Sequence, residues 1–172
     1  MNSLVESDPY NGDEGKYQEH FRKTFITEKD KDGDNSDTFS LHDMMIPAGK
    51  VAKLIRVRDP QDEDFRIEEV CNKLKLNQPM PVINLAGTYT ERAGKTLAGV
   101  ARAAVRADAI IVDSGIASGI EKFTLRKKMP LVGVAPENEV IYPRINPNGR
   151  KDNELTNGHT HLFLIGETDE EA

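Results

Sequence analysis

From residue 81 onward, short apolar runs alternate with helix-forming stretches, and this alternation constrains the fold more than any other feature of the chain. The runs are "PVINLAG" (81–87), "DAIIVDSG" (108–115), "PLVGVAPE" (130–137) and "HTHLFLIG" (159–166). Between the first two lies the alanine-rich stretch 90–107, with Leu97, Val100, Ala101, Ala104 and Val105 at helical spacing. Between the second and third, residues 116–128 space Ile116, Ile120 and Phe123 the same way. Strands that are apolar throughout are buried on both sides, and a strand–helix–strand repeat builds a parallel sheet covered by helices on both faces. Upstream, "VAKLIRV" (51–57) reads as a strand and 62–76 as a helix, with Phe65, Ile67, Val70, Cys71 and Leu74 at helical intervals. Asp62, Glu63 and Asp64 load the start of that helix, where its dipole favours anions. The pattern predicts an α/β unit beginning near residue 50.

The N-terminal 50 residues differ in kind. They hold 11 acidic and 6 basic residues, a net of −5, against 18 acidic and 17 basic in the other 122. Residues 1–49 are therefore expected to form an acidic arm, disordered or laid on a partner, because such composition buries too little apolar surface to offset ordering entropy. The run "EKDKDGDNSD" (28–37) resembles a calcium loop but places Phe39 where the bidentate glutamate belongs, so a solvated charge run is the better reading. Residues 169–172 form an acidic tail. With one cysteine, Cys71, no intrachain disulfide forms, which fits a reducing, cytoplasmic setting. No secretory leader and no run of 18 apolar residues is present, so no membrane span is expected. No basic tract marks a nucleic-acid surface.

"AGKT" (93–96) raises the question of a phosphate-binding P-loop. That loop needs four residues between its first Gly and Gly-Lys-Thr. Counting back from Gly94 reaches Tyr89, and Gly87 is two residues too early. Lys95 and Thr96 are also expected about a turn inside the helix. A P-loop is rejected. What remains is two strand–glycine–helix junctions, Ala86-Gly87-Thr88 and Ser114-Gly115. Ligands of parallel α/β sheets bind at the carboxyl ends of strands, where helix N-termini aim N–H groups at anions. Residues 81–135 carry 8 basic and 4 acidic side chains, a net of +4, which suits a phosphorylated ligand. Glycine at such turns is also ordinary turn chemistry.

Three segments in order, "PVINLAGT", "IIVDSGIASGIEKF" and "PLVGVAPENEVIYP…GHTHLFLIG", resemble the SLOG superfamily, and within it the LSDAT domains found as stand-alone bacterial proteins and in melastatin-type TRP channels. The likeness runs over roughly 50–168. It implies a Rossmann-like parallel sheet flanked by helices, and binding of a nucleotide-derived anion such as ADP-ribose or an NAD-derived nucleotide. It maps ligand contacts onto the turns Ala86-Gly87 and Ser114-Gly115, the following Ile116 and the further glycine Gly119; with Thr88, Asp113, Ser118, Glu137 and His159 beside these turns, they are the expected ligand-binding residues. Departures are visible. The first glycine of each family Gly-Gly pair is Ala86 or Ser114 here, and the usual threonine is Ile116. Ser114 adds a Cβ and Ile116 removes a hydroxyl. Family domains also continue past the "HTH" strand, so this chain is expected to be incomplete relative to them, with a sheet edge available to a partner.

Other groups stay two-sided. Asp113 suits a ribose hydroxyl or the capping of a helix, the latter the commoner role. Glu137 has the same ambiguity. Tyr89 and Tyr142 suit base stacking or half-buried anchoring. His159 and His161, two apart on a strand, are expected on one face, holding a loop or lining a cleft; a zinc site would need ligands that are lacking. The base-releasing SLOG hydrolases carry a Pro-Gly-Gly-x-Gly-Thr turn that "VDSGIASGIE" lacks, although Glu121 stands near the place of their glutamate. A non-enzymatic binding domain is therefore expected, with an assembly role on the same fold as the alternative and a phosphoribohydrolase as a second one.

Overall fold

The computed structural model describes residues 13–22, 38–46, 50–76, 79–87, 90–116, 129–143, 153–156 and 158–166. In chain order these form α1 (Glu14–Arg22), β1 (Phe39–Ile46), β2 (Lys50–Val57), α2 (Ile67–Lys73), β3 (Val82–Asn84), α3 (Ala93–Ala107), β4 (Ile110–Asp113), β5 (Leu131–Pro136), a 3₁₀ turn (Glu137–Glu139) and β6 (His161–Ile165). The strands make one six-stranded sheet in the order β1-β2-β6-β5-β4-β3. β1 pairs with β2 antiparallel, and every other neighbouring pair is parallel. The α/β architecture expected from the alternating runs is present.

Successive side chains of a strand face opposite ways, and this sheet uses both sides. On one face Ile55, Val57, Ile110, Val132 and Phe163 pack with Val70 of α2, joined by Phe65 and Leu74. On the other, Ile111 and Leu131 pack with Ala101 and Ala104 of α3. Beside them Ala52, Leu54, Ala135, Leu162 and Leu164 pack with Tyr17 of α1. The chain crosses the sheet from β2 to β3 in one direction and returns through β4, β5 and β6 in the other. Crossovers share one hand, so opposite directions place their helices on opposite faces. Among the described residues no helix is long and apolar enough to cross a membrane.

Three expectations need correction. The packed unit begins well before residue 50. β1 runs beside β2 from Phe39↔Val57 to Ile46↔Lys50, burying Phe39 and Met44. In α1, Tyr17 is buried and the Gln18 amide bonds both the N–H and the C=O of Tyr142, as a neighbouring strand would. The apolar positions involved are too sparse to stand out against the acidic composition around them. The helix expected over 62–76 starts only at Ile67. Asp59 and Asp62 accept hydrogen bonds from the backbone N–H groups of Gln61 and Asp64, two residues on, and such turns compete with helix formation. Finally, Lys95 and Thr96 lie at the first turn of α3, because residues 90–92 form a turn: the N–H of Ala93 bonds the Thr90 carbonyl and that of Gly94 the Glu91 carbonyl. The spacing argument against a P-loop is unaffected. The calcium-like run 28–37, the acidic tail and all but the first residue of the helix expected at 116–128 lie outside the described residues; that first residue, Ile116, forms a bridge with Leu155 instead.

Candidate functional site

β3 and β4 are adjacent and parallel, so the bends that follow them share one rim of the sheet. The Leu85 N–H extends the pairing to the Val112 carbonyl at 2.8 Å, and the chain then turns at Gly87. Gly87 has φ +112°, a conformation that only glycine adopts readily, and nothing lies within 4 Å of where a Cβ would stand. Ala86 and Gly87 are exposed. Helix α3 starts at the same rim. Its N-cap, Arg92, makes no side-chain capping bond and its first turn carries no acid, so the helix itself supplies no anion to the positive end of its dipole, although Glu91 stands just before the N-cap. Arg92 and Lys95 are exposed there.

The second bend is built differently. Gly115 (φ +70°) is buried and lies on β5: a Cβ on it would come within 3.0 Å of the Gly133 Cα, and one on Gly133 within 2.4 Å of the Gly115 Cα. Asp113 Oδ1 accepts the Gly115 N–H at 2.8 Å, and the Gly115 carbonyl accepts the Thr156 N–H at 2.9 Å. Ile116 then bridges Leu155. Both backbone polar groups of Gly115 are thus engaged within the protein. Asp113 Oδ1 also meets His159 Nε2 at 2.5 Å, with the two side chains 3% and 0% exposed. The Nδ1 of His159 is buried and makes no hydrogen bond. No third metal-type side chain joins this pair among the described residues.

Farther along the rim, Glu137 follows β5. Its buried carboxylate is ion-paired with Arg56 of β2, reaching across β6. Of the residues expected at a ligand, the structure brings Ala86, Gly87, Asp113, Ser114, Gly115, Ile116 and Glu137 to one rim. Only Ala86, Gly87 and Ser114 are exposed, with Ile116 half-buried. Asp113, Glu137 and His159 are enclosed by protein partners. Thr88, Tyr89, Ser118, Gly119 and Glu121 lie outside the described residues. Tyr142 is a buried core residue.

The two histidines do not share a face as expected. β6 begins at His161, so the two-residue alternation does not extend back to His159. His161 lies on the α2 side with Phe163, half-buried, and its Nδ1 meets the Thr160 hydroxyl at 2.8 Å. Burial, and then the charge of Lys53, hold its pKa below the ordinary 6.5.

Two contributors went unread in the sequence. Gly133 interrupts an apolar strand, which is a legible sign of close backbone approach. Arg56 carries no such mark, since nothing local links it to a glutamate 81 residues later.

A sequence profile of the family described as "SLOG in TRPM, prokaryote" matches residues 80–170, more than half of the chain. The chain belongs to this LSDAT branch of SLOG. The match takes in β3 to β6 and therefore both glycine bends. The lead-in β2 and α2, which also resembled the family, lie before it. No curated protein matches the chain.

Proposed function

We propose that this SLOG domain binds a nucleotide-derived anion such as ADP-ribose at the β3–β4 rim, and senses it without chemical turnover. The observation that carries this reading is the adjacency of the Gly87 and Gly115 bends beside an α3 N-terminus whose first turn carries no acidic residue. Backbone with no Cβ at Gly87 allows close approach, the helix dipole favours phosphate, and Arg92 and Lys95 supply charge. Gly115 N–H is already engaged by Asp113, so the phosphate contact is assigned to the Gly87 side and to Ser114.

Titration calorimetry with ADP-ribose, NAD and cyclic nucleotides tests this. A ligand at a hundred times its Kd stabilises by about 2.7 kcal/mol, which raises the Tm of a chain this size by about 5–10 °C. R92E/K95E is expected to weaken binding at least about tenfold, or about 1.4 kcal/mol, at unchanged Tm. No stabilisation by any of these ligands at millimolar concentration would overturn the reading. Free base released from a nucleoside monophosphate, and lost in E121A, would make the protein a hydrolase instead. The engagement of both Gly115 backbone groups favours a second reading, an assembly role on an inherited fold. That reading predicts no ligand response at all.

A further inference from the structure

Elsewhere among the described residues most cations have partners. Lys16 pairs with Asp13, Lys53 with Asp43, Arg56 with Glu137 and Lys73 with Glu69, while Arg66 bonds the Glu63 and Phe65 carbonyls. Helix α3 breaks the pattern. Arg92, Lys95, Arg102 and Arg106 are all exposed, and none has an ion pair or hydrogen bond with a described residue. Their spacings of three, seven and four residues put them on one side of the helix, and α3 contains no acidic residue. At 1.5 Å per residue the stripe is about 21 Å long. Val105, 42% exposed, adjoins it, three residues after Arg102.

The opposite face of the sheet carries the complement. Residues 59–69, leading into and through the first turn of α2, hold six acids (Asp59, Asp62, Glu63, Asp64, Glu68, Glu69) and one base (Arg66), a net of −5. All six acids are exposed. Within this run Ile67 is 45% exposed. Each surface thus has unlike charge around an exposed β-branched side chain.

We propose that the α3 face of one copy docks on the α2 face of a second copy. α3 packs on the sheet face of Ile111 and α2 on that of Ile110, so the two docking surfaces are back to back. The contact is then heterologous: every dimer keeps one unused basic face on one copy and one unused acidic face on the other, and association proceeds head to tail. Complementary fields steer such an encounter, and salt screens it. A nucleic acid is the weaker occupant, since it would approach a chain of net charge −6 that already presents its own complement.

Sedimentation velocity of the full chain decides the matter. At about 0.01 M salt the Debye length is about 30 Å, and at about 1 M it is about 3 Å. The sedimentation coefficient is expected to rise with protein concentration at low salt and stay monomeric at high salt. R102Q/R106Q and E63Q/E68Q should each be monomeric at low salt with unchanged thermal melts, because all four side chains are exposed. An equimolar mixture of the two variants should form a dimer that does not grow, since each supplies the face the other lacks. A monomeric wild type at low salt overturns the proposal. So does self-association that survives both variants, or an absence of self-association with a labelled oligonucleotide captured through Arg102 and Arg106. R102Q/R106Q leaves Gly87, Arg92 and Lys95 intact and should keep its affinity for ADP-ribose, which separates this test from that of the rim.

Discussion

Gly87 and Gly133 look alike in the sequence, each a glycine at or in an apolar run, yet they do different work. Gly87 is required by its φ alone, since its surroundings are open. Gly133 has an ordinary strand conformation but sits against the Gly115 backbone. Gly87→Ala is expected to cost about 1–2 kcal/mol from the left-handed backbone. Gly133→Ala must push the Gly115 turn off the sheet, and about 3 kcal/mol or more is expected from overpacking against backbone that cannot rotate away. Urea denaturation of the two variants checks the order, and a larger loss at Gly87 would show that the turn over Gly133 yields easily. At this scale the sequence was informative where a residue's role is local. The glycine turns and the carboxylate closing a bend at Asp113 follow from short-range geometry. That Asp113 would meet His159, 46 residues away, or Glu137 meet Arg56, 81 residues away, depends on which strands become neighbours, and no spacing encodes that.

Among the elements, β1 and α1 changed the picture most. Their few apolar residues are diluted by charge, so composition pointed to a free arm. The pairing with β2 and the seat of Tyr17 come from complementary surfaces elsewhere in the chain. A chain beginning at residue 50 loses the buried Phe39 and Met44 with all of β1. Burial of each such side chain stabilises by about 2 kcal/mol, so about 4 kcal/mol goes from these two alone, against a total stability of about 5–15 kcal/mol. It also bares the β2 edge. We expect the truncated chain to melt well below the full chain and to aggregate, as read by circular dichroism and light scattering. A melt within a degree or two of the full chain would show that β1 adds nothing to the folded unit. Helices were read less accurately at their starts than along their lengths. The Leu97–Val105 periodicity of α3 is a packing signal repeated over several turns, whereas the starts of α2 and α3 depend on single hydrogen bonds in the preceding turn.

For the whole molecule, the decisive feature is that β6, the last strand, sits between β2 and β5. It joins the N-terminal part of the sheet to the glycine-bend part, pairing Leu54 with Leu162 and Ala135 with Leu164. The segment matched by the SLOG profile, 80–170, would therefore expose one side of β6 when separated from β2. It would also lose α2, whose Val70 covers Ile110, Val132 and Phe163. Expressed alone, this segment is expected to give poorly dispersed amide NMR signals, while the full chain gives dispersed ones. Dispersed signals from 80–170 would show that the family segment is an autonomous unit.

By itself the sequence determined the architecture from residue 51 onward, because periodic apolar runs and glycine bends state which described segments there are strands, which are helices, and that those strands run parallel with two bends at one rim. It also carried the family. Only the tertiary structure decided the strand order, the inclusion of residues 14–22 and 39–46, and the partners of Asp113, Glu137, Gly115 and α3. The physical reason is range. Secondary structure and turns follow from contacts a few residues apart, whereas burial, ion pairing and close backbone approach depend on which distant segments the collapsing sheet sets side by side.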